Sequence, residues 1–227
     1  MSLVISEVFG PTVQGEGPSA GRRCGFVRLG LCNLDCAWCD TPYTWDWDRY
    51  DRNAETSRWD TGEIVRALTA MNVTMVVITG GEPLAQPRVA DLVEACVLSG
   101  WTVEIETNGT QHPTGAARWA RFNVSPKLSN SGVSRDRAWK PDVLRDLAGI
   151  DGTAFKFVCA GVEDLDEVDA LVTMADIGVH QVWLMPEGRD PDAIVNGLAK
   201  LADPAIERGY NLTGRLHVLA WGDRRGK

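Results

Sequence analysis

The run Thr74-Met-Val-Val-Ile-Thr79, opening directly into Gly80-Gly81-Glu82-Pro83, constrains the fold most. A nearly continuous apolar strand has no polar face to give to water, so it belongs in a parallel sheet covered on both sides. Parallel neighbours need long crossovers, usually helical. The rest of the chain supplies them. Strands are expected at 3–9, 25–30, 74–79, 101–107, 121–127, 153–159, 180–186 and 215–221. Helices are expected at 60–71, 87–99, 163–177 and 190–208. The first of these starts at Asp60-Thr-Gly-Glu63, acidic in its first turn, with Ile64, Leu68 and Met71 on one face. This alternation predicts an α/β chain with a mostly parallel sheet. The units are too few for a closed eight-fold barrel. The expected fold is therefore a partial, open (β/α) barrel with mostly parallel strands, a single domain over 1–227 without internal repeats.

In such sheets ligands bind beyond the carboxyl ends of the strands. Glycines and polar residues gather at those ends here: Gly80-Gly81-Glu82, Glu106-Thr107-Asn108, Ser125-Pro126-Lys127 and Met185-Pro186. A loop at 10–18, punctuated by glycine and proline, follows the first strand and carries Gln14 and Glu16. It reads equally as a surface turn or as a ligand loop whose glycines allow close backbone approach. Residues 43–60, rich in Trp and Asp, lack a clean period and read as an irregular loop: a lid, a partner surface, or equally tryptophans that cover a core edge.

One strand end stands apart. After Gly25-Phe-Val-Arg28-Leu-Gly30 come Cys32, Cys36 and Cys39, spaced C-x3-C-x2-C. Three thiolates in one loop form a soft, anionic nest for a metal centre. A closed zinc site wants four ligands, and the nearest histidine is His112. Thiolate-bound iron–sulfur clusters usually take one cysteine per iron, so three would leave one iron of a four-iron cluster open. Cys24, Cys96 and Cys159 lie in apolar segments and read as buried structural thiols.

Composition narrows the setting. A net charge of −8 argues against a non-specific nucleic-acid surface. No run of about 18 apolar residues is present to span a membrane, and the N-terminal residues lack the pattern of a signal peptide. Six cysteines, half of them clustered, do not read as a disulfide framework. The expected setting is the reducing cytoplasm.

With Trp38 before the last cysteine, the C-x3-C-x-(aromatic)-C loop resembles the signature of the radical S-adenosylmethionine (SAM) superfamily. Thr79-Gly-Gly-Glu-Pro83, one α/β unit later, resembles its "GGEP" element. Four further features resemble the 7-carboxy-7-deazaguanine synthase family, across nearly the whole chain. They are Glu7-Val-Phe with Gln14-Gly-Glu-Gly17, Phe26-Val-Arg-Leu-Gly with Cys32, Cys39-Asp-Thr41, and Leu216-His-Val-Leu-Ala-Trp-Gly-Asp with Arg225-Gly226.

That resemblance implies a 4Fe-4S cluster on Cys32, Cys36 and Cys39, SAM on its open iron, and Mg2+ on Thr41, which fits an ion that keeps several waters. It implies SAM contacts from Trp38, Asp40, Gly80, Gly81, Glu82, Glu106, Asn108, Ser125, Pro126, Lys127 and Met185. Contacts to a 6-carboxy-5,6,7,8-tetrahydropterin are implied for Val13, Gln14, Gly15, Glu16, Arg28, Thr79 and His217, with Arg28 on the carboxylate. The implied reaction is hydrogen abstraction from the pterin, ring contraction and loss of ammonia to give 7-carboxy-7-deazaguanine. A flavodoxin or ferredoxin donor and a homodimer are implied as well. Whether residues 223–227 close over the substrate stays open. Two other readings compete: a radical SAM activase of a glycyl-radical enzyme, docking through 43–60, and a zinc-stabilised binding module.

Overall fold

The computed structural model describes residues 2–227. In chain order the elements are β1 (Leu3–Val13), β2 (Arg23–Leu29), α1 (Arg52–Glu55), β3 (Ser57–Trp59), α2 (Thr61–Ala70), β4 (Met75–Gly80) and α3 (Val89–Leu98). There follow β5 (Thr102–Thr107), β6 (Arg121–Val124), α4 (Arg135–Ala138), α5 (Pro141–Ala148), β7 (Ala154–Cys159) and α6 (Leu165–Ala175). The chain ends with β8 (Val182–Pro186), α7 (Pro191–Arg208), β9 (Asn211–Leu212) and α8 (Leu216–Trp221).

All nine strands join one sheet, ordered β3-β1-β2-β4-β5-β6-β7-β8-β9. From β2 to β9 every pairing is parallel, and β1 runs antiparallel to both its neighbours. The edges β3 and β9 do not pair, so the barrel is open.

Because side chains alternate along a strand, the sheet has two different faces. Val76, Ile78, Val103, Ile105, Phe122, Val124, Phe155, Phe157 and Leu184 pack against Ile64, Leu68, Leu92, Leu144, Leu171 and Leu201 of the helical layer. Each large side chain buried there contributes roughly 1.5–3 kcal/mol. The alternate residues, Arg28, Thr79, Glu104, Glu106, Asn123 and Lys156, fall on the concave face. A smaller apolar cluster of Cys24, Phe26, Met75 and Val77 fills that face lower down. Cys24, Cys96 and Cys159 are buried and unbridged.

Helix α2 begins as its sequence dictates. The Asp60 carboxylate accepts from Glu63 N at 2.8 Å and Glu63 accepts from Asp60 N at 2.7 Å, a reciprocal cap. Three expectations need correction. The expected last strand at 215–221 is helix α8, and the sheet closes on the two-residue β9 instead. Arg215 is buried and Leu216 N bonds the carbonyl of Gly15 at 2.8 Å, which turns the chain away from the sheet. A helix then places Leu216 and Leu219, three residues apart, outward. Residues 43–60 are not irregular throughout: Asp51 caps α1 through Asn53 N, and β3 adds an edge strand to β1. Finally, β1 runs on through Gly10 to Val13 with a shifted register, so the connecting loop is confined to 14–22.

Candidate active site

The carboxyl ends of β2, β4, β5, β6, β7 and β8 surround one cavity, which α8 and the chain terminus border on the open side. Its wall is set by very close backbone approach. Gly81 N donates to Leu29 O at 3.0 Å and Glu82 N to Leu31 O at 2.9 Å, which straps the β4 exit to the start of the cysteine loop. A Cβ on Gly81 would lie 1.9 Å from Leu31 O, and one on Gly80 (φ +129°) 2.1 Å from Leu29 O. Only glycine permits this contact. Leu31, the residue before Cys32, sits in the left-handed region at φ 71°, a conformation uncommon for a branched side chain.

Cys32, Cys36 and Cys39 all line the cavity. Leu34 N donates to Cys32 Sγ at 3.5 Å, and Trp45 Nε1 to Cys39 Sγ at 3.3 Å. Burial pushes the Cys32 thiol up to about 12 and raises that of Cys36 as well. Among the described residues, no three His, Cys, Asp or Glu side chains converge tightly enough to grip a single ion. Three cavity-lining thiols leave a zinc knot without a ligand set and match the one-thiolate-per-iron chemistry of a cluster with an open iron. Thr41 lines the same cavity, its Oγ1 3.8 Å from Cys39 Sγ.

The loop is pinned from outside. Arg137 grips Asp35 at 2.8 and 3.1 Å and reaches Asn33 O at 3.1 Å. Arg189 donates to the carbonyls of Trp38 and Cys39. Trp38 donates to Asn130 Oδ1 at 3.1 Å, and the Lys127 ammonium, bonded to Ser125 Oγ at 2.8 Å, lies 5.3 Å from the Trp38 ring centre.

The opposite wall is a buried polar network. Gln14 Nε2 donates to Glu104 at 2.6 Å and to Glu106 at 3.0 Å, while its Oε1 accepts from Gly15 N and Glu16 N. Thr79 Oγ1 donates to Glu106 at 2.6 Å, and Ser19 Oγ to Glu104 at 2.6 Å. Burial raises Glu104 above the ordinary carboxylate range. Glu16 behaves oppositely. Burial alone would raise it, but Lys156 and Arg215 outweigh that and hold it well below the usual range. His217, lowered mainly by burial, packs so closely on Gly15 that a Cβ there would lie 1.9 Å from Nδ1.

Arg28, 16% exposed, donates from Nε to Glu7 at 3.0 Å. Glu7 also accepts from Tyr43 OH at 3.4 Å and from Arg225 of the chain terminus. Arg225 stacks 3.9 Å from the Tyr43 ring centre, and Lys227 lines the cavity.

Val13, Asp40, Asn108, Ser125 and Met185 line the cavity with the residues above. Glu82 and Pro126 do not. Glu82 is fully buried, and its two oxygens accept from Leu84 N, Thr107 Oγ1 and Asn108 N. It braces the β4 and β5 exits from behind the cavity wall. Sequence reasoning gave no role to Glu7, Glu104, Lys156 or Arg215. A lysine inside Ala154-Phe-Lys-Phe-Val-Cys159 was the available signal, since an apolar strand carries a charge inward only where a partner awaits. Glu104 and Glu106, two apart on one strand, were a second signal.

Comparison with known proteins identifies the family. Residues 27–168 match the radical SAM superfamily. The 7-carboxy-7-deazaguanine synthase of Pyrobaculum aerophilum is 38% identical over 226 residues, covering 98% of this chain and 96% of that protein. The enzyme of the same name from Rhodopirellula baltica is 32% identical, covering 99% and 89%. The crystal structure of QueE from Escherichia coli superposes with a TM-score of 0.73 at 25% identity, over 96% of this chain and 95% of that one. The chain therefore belongs to the 7-carboxy-7-deazaguanine synthase family of the radical SAM superfamily.

Proposed function

We infer that this protein is a 7-carboxy-7-deazaguanine synthase, a carbon–nitrogen lyase that contracts the ring of 6-carboxy-5,6,7,8-tetrahydropterin and releases ammonia. Family membership supports the reaction. One observation carries the substrate: Arg28 lines the cavity with only its Nε committed, to Glu7, which leaves the guanidinium fork for a carboxylate.

The residues divide the work. Cys32, Cys36 and Cys39 would hold a 4Fe-4S cluster, with SAM against Trp38, Asp40, Gly80, Gly81, Glu106, Asn108, Ser125, Lys127 and Met185. When bound, the cluster and SAM supply one electron and a radical that takes a hydrogen atom from the substrate. Arg28 orients the pterin by its carboxylate. Glu16, held ionised, and the neutral imidazole of His217 face the polar ring edge, an acceptor beside a group able to donate or accept. Gln14 acts through the wall it braces, because its amide is fully engaged by Glu104, Glu106 and the loop backbone. Thr79 and Val13 complete that wall, and Thr41 is assigned to Mg2+. Lys227 at the cavity edge, with Arg225 anchored on Glu7 behind it, is assigned to limiting water access. The same reading assigns a flavodoxin or ferredoxin as electron donor to a single-domain, homodimeric, cytoplasmic enzyme.

The test is anaerobic reconstitution with iron and sulfide, then reaction with SAM, dithionite, Mg2+ and the pterin, read by mass spectrometry. Formation of 7-carboxy-7-deazaguanine, lost in Cys36→Ala and Thr41→Ala, is the expected result. SAM cleavage with the pterin untouched would overturn the substrate and leave a glycyl-radical activase as the reading to pursue. A chain that takes up no cluster would overturn both.

A further inference from the structure

Arg215 joins three segments that reach the cavity from distant parts of the chain. Its Nε donates to Glu16 Oε1 at 2.8 Å, its Nη1 to the Gly188 carbonyl at 2.8 Å, and its Nη2 to Asp40 Oδ2. These partners lie in the loop after β1, the loop after β8, and directly behind the last cluster cysteine. The Arg215 side chain is 7% exposed and that of Glu16 12%, while Asp40 keeps 41% of its side chain open toward the cavity it lines.

A guanidinium is a rigid, planar fork, so fixing one of its arms fixes the direction of the others. Lys156 clamps the second oxygen of Glu16. Glu16 therefore cannot shift without moving Arg215, and Arg215 cannot shift without moving Asp40. Replacing a buried ion pair by well-packed apolar residues is often neutral for stability, so stability alone does not account for a buried arginine with three partners, one of them partly exposed. What it adds is a rigid link between the two halves of the cavity. The wall at Glu16 belongs to the inferred pterin half, and Asp40 to the half facing the cluster and SAM.

We propose that Arg215 is a positioning residue that couples the pterin loop at Glu16 to the cofactor loop at Asp40, so that SAM occupancy sets the geometry in which the pterin binds. The proposal rests on the pterin reading above. Linkage makes the coupling reciprocal: the factor by which SAM tightens pterin binding is the factor by which pterin tightens SAM binding.

The experiment measures pterin dissociation constants by anaerobic calorimetry on the cluster-loaded protein, with and without SAM, for wild type, Arg215→Lys and Arg215→Gln. Coupling between sites commonly lies between about 5- and 150-fold. Wild type is expected within that range. Arg215→Lys keeps the charge and the fold but loses the fork, and the factor should fall to about 2-fold or below. Arg215→Gln should abolish it, with cluster absorbance per chain unchanged. A wild-type factor near one, or a factor that survives in Arg215→Lys, overturns the proposal while the pterin reading stands. Variants that lower only the melting temperature overturn it too, since a purely structural residue leaves the coupling factor alone. A wild-type protein that binds SAM but no pterin overturns the reading and this proposal together.

Discussion

Arg28 and Arg225 share one carboxylate. Glu7 takes the Arg28 Nε on Oε2 at 3.0 Å and the Arg225 Nε on its other oxygen, so the inferred substrate arginine and the chain terminus are linked through a single side chain.

Glu7→Gln should therefore loosen Arg28 without disturbing the fold. Glu7 is 15% exposed, and an amide oxygen still accepts from Arg28, but the charge that opposes two arginines is gone. We expect the pterin KM to rise about 10-fold, with cluster loading unchanged; losing one charge-assisted bond of about 1.5 kcal/mol corresponds to that factor. Arg28→Lys, which removes the fork, should cost more, about 100-fold in kcat/KM. Steady-state kinetics on both variants checks the order.

Gly15 and Gly81 make the same demand on paper, and their substitutions should fail differently. A Cβ on Gly15 meets the imidazole of His217, the end of a movable side chain. Gly15→Ala should fold and bind a cluster but lose most pterin turnover. A Cβ on Gly81 meets the backbone of Leu31 and Cys32, which cannot yield without opening the cysteine loop. Gly81→Ala should lower cluster occupancy and stability by about 1–3 kcal/mol, the scale of overpacking in a tight site. Iron content and denaturant melts separate the two outcomes.

How much of this was legible in the residues varies with the range of the forces involved. The strands from β4 to β8 and the crossover helices α3 and α6 follow from local periodicity, whereas α5 between β6 and β7 was not foreseen; Asp60-Thr-Gly-Glu63 marked the start of α2. The three cysteines and the polar strand ends marked the cavity rim, because the fold rule about carboxyl ends needs only strand order. The run 216–221 misled because a short, mostly apolar run carries no length cue separating strand from helix; what decides there is Arg215, held in the cavity by residues 40, 16 and 188. The motif at Glu82 marked the place, but its hydrogen bonds from Thr107 and Asn108 depend on where the end of β5 lies beside it, which no local pattern gives.

Glu16 ties stability to pH. Its folded value lies below the ordinary 4.5, so the stability it contributes is fully present above about 4.5 and disappears as pH falls toward the folded value. Glu16→Gln removes that contribution and leaves Lys156 and Arg215 buried without their carboxylate. At pH 7 the variant should be less stable by about 3–5 kcal/mol, the usual cost of removing one partner of a buried pair. The gap between wild type and variant should narrow as the pH of the urea melts is taken below 4.5. A gap that stays constant down to strongly acid pH would mean that the two cations do not hold Glu16 ionised.

The chain terminus reaches the cavity through Lys227 and is held by modest contacts, which makes it separable from the fold. Arg225 is 46% exposed; its pairs with Glu7 and Glu55 and its stacking on Tyr43 anchor a segment that otherwise carries little burial. Exposed ion pairs contribute about 0–1 kcal/mol, so deleting residues 223–227 should shift the melting temperature very little. Arg189 would lose its long contact to Asp223 at 3.9 Å but keep its hold on the carbonyls of Trp38 and Cys39. The cluster should therefore still load. What should change is the chemistry of the exposed cavity: water reaches the Arg28 wall, the pterin KM rises, and more SAM is cleaved per product formed. Mass spectrometry of 5′-deoxyadenosine against 7-carboxy-7-deazaguanine measures this directly. An unchanged ratio in the truncated protein would show that the terminus anchors on Glu7 without guarding the reaction.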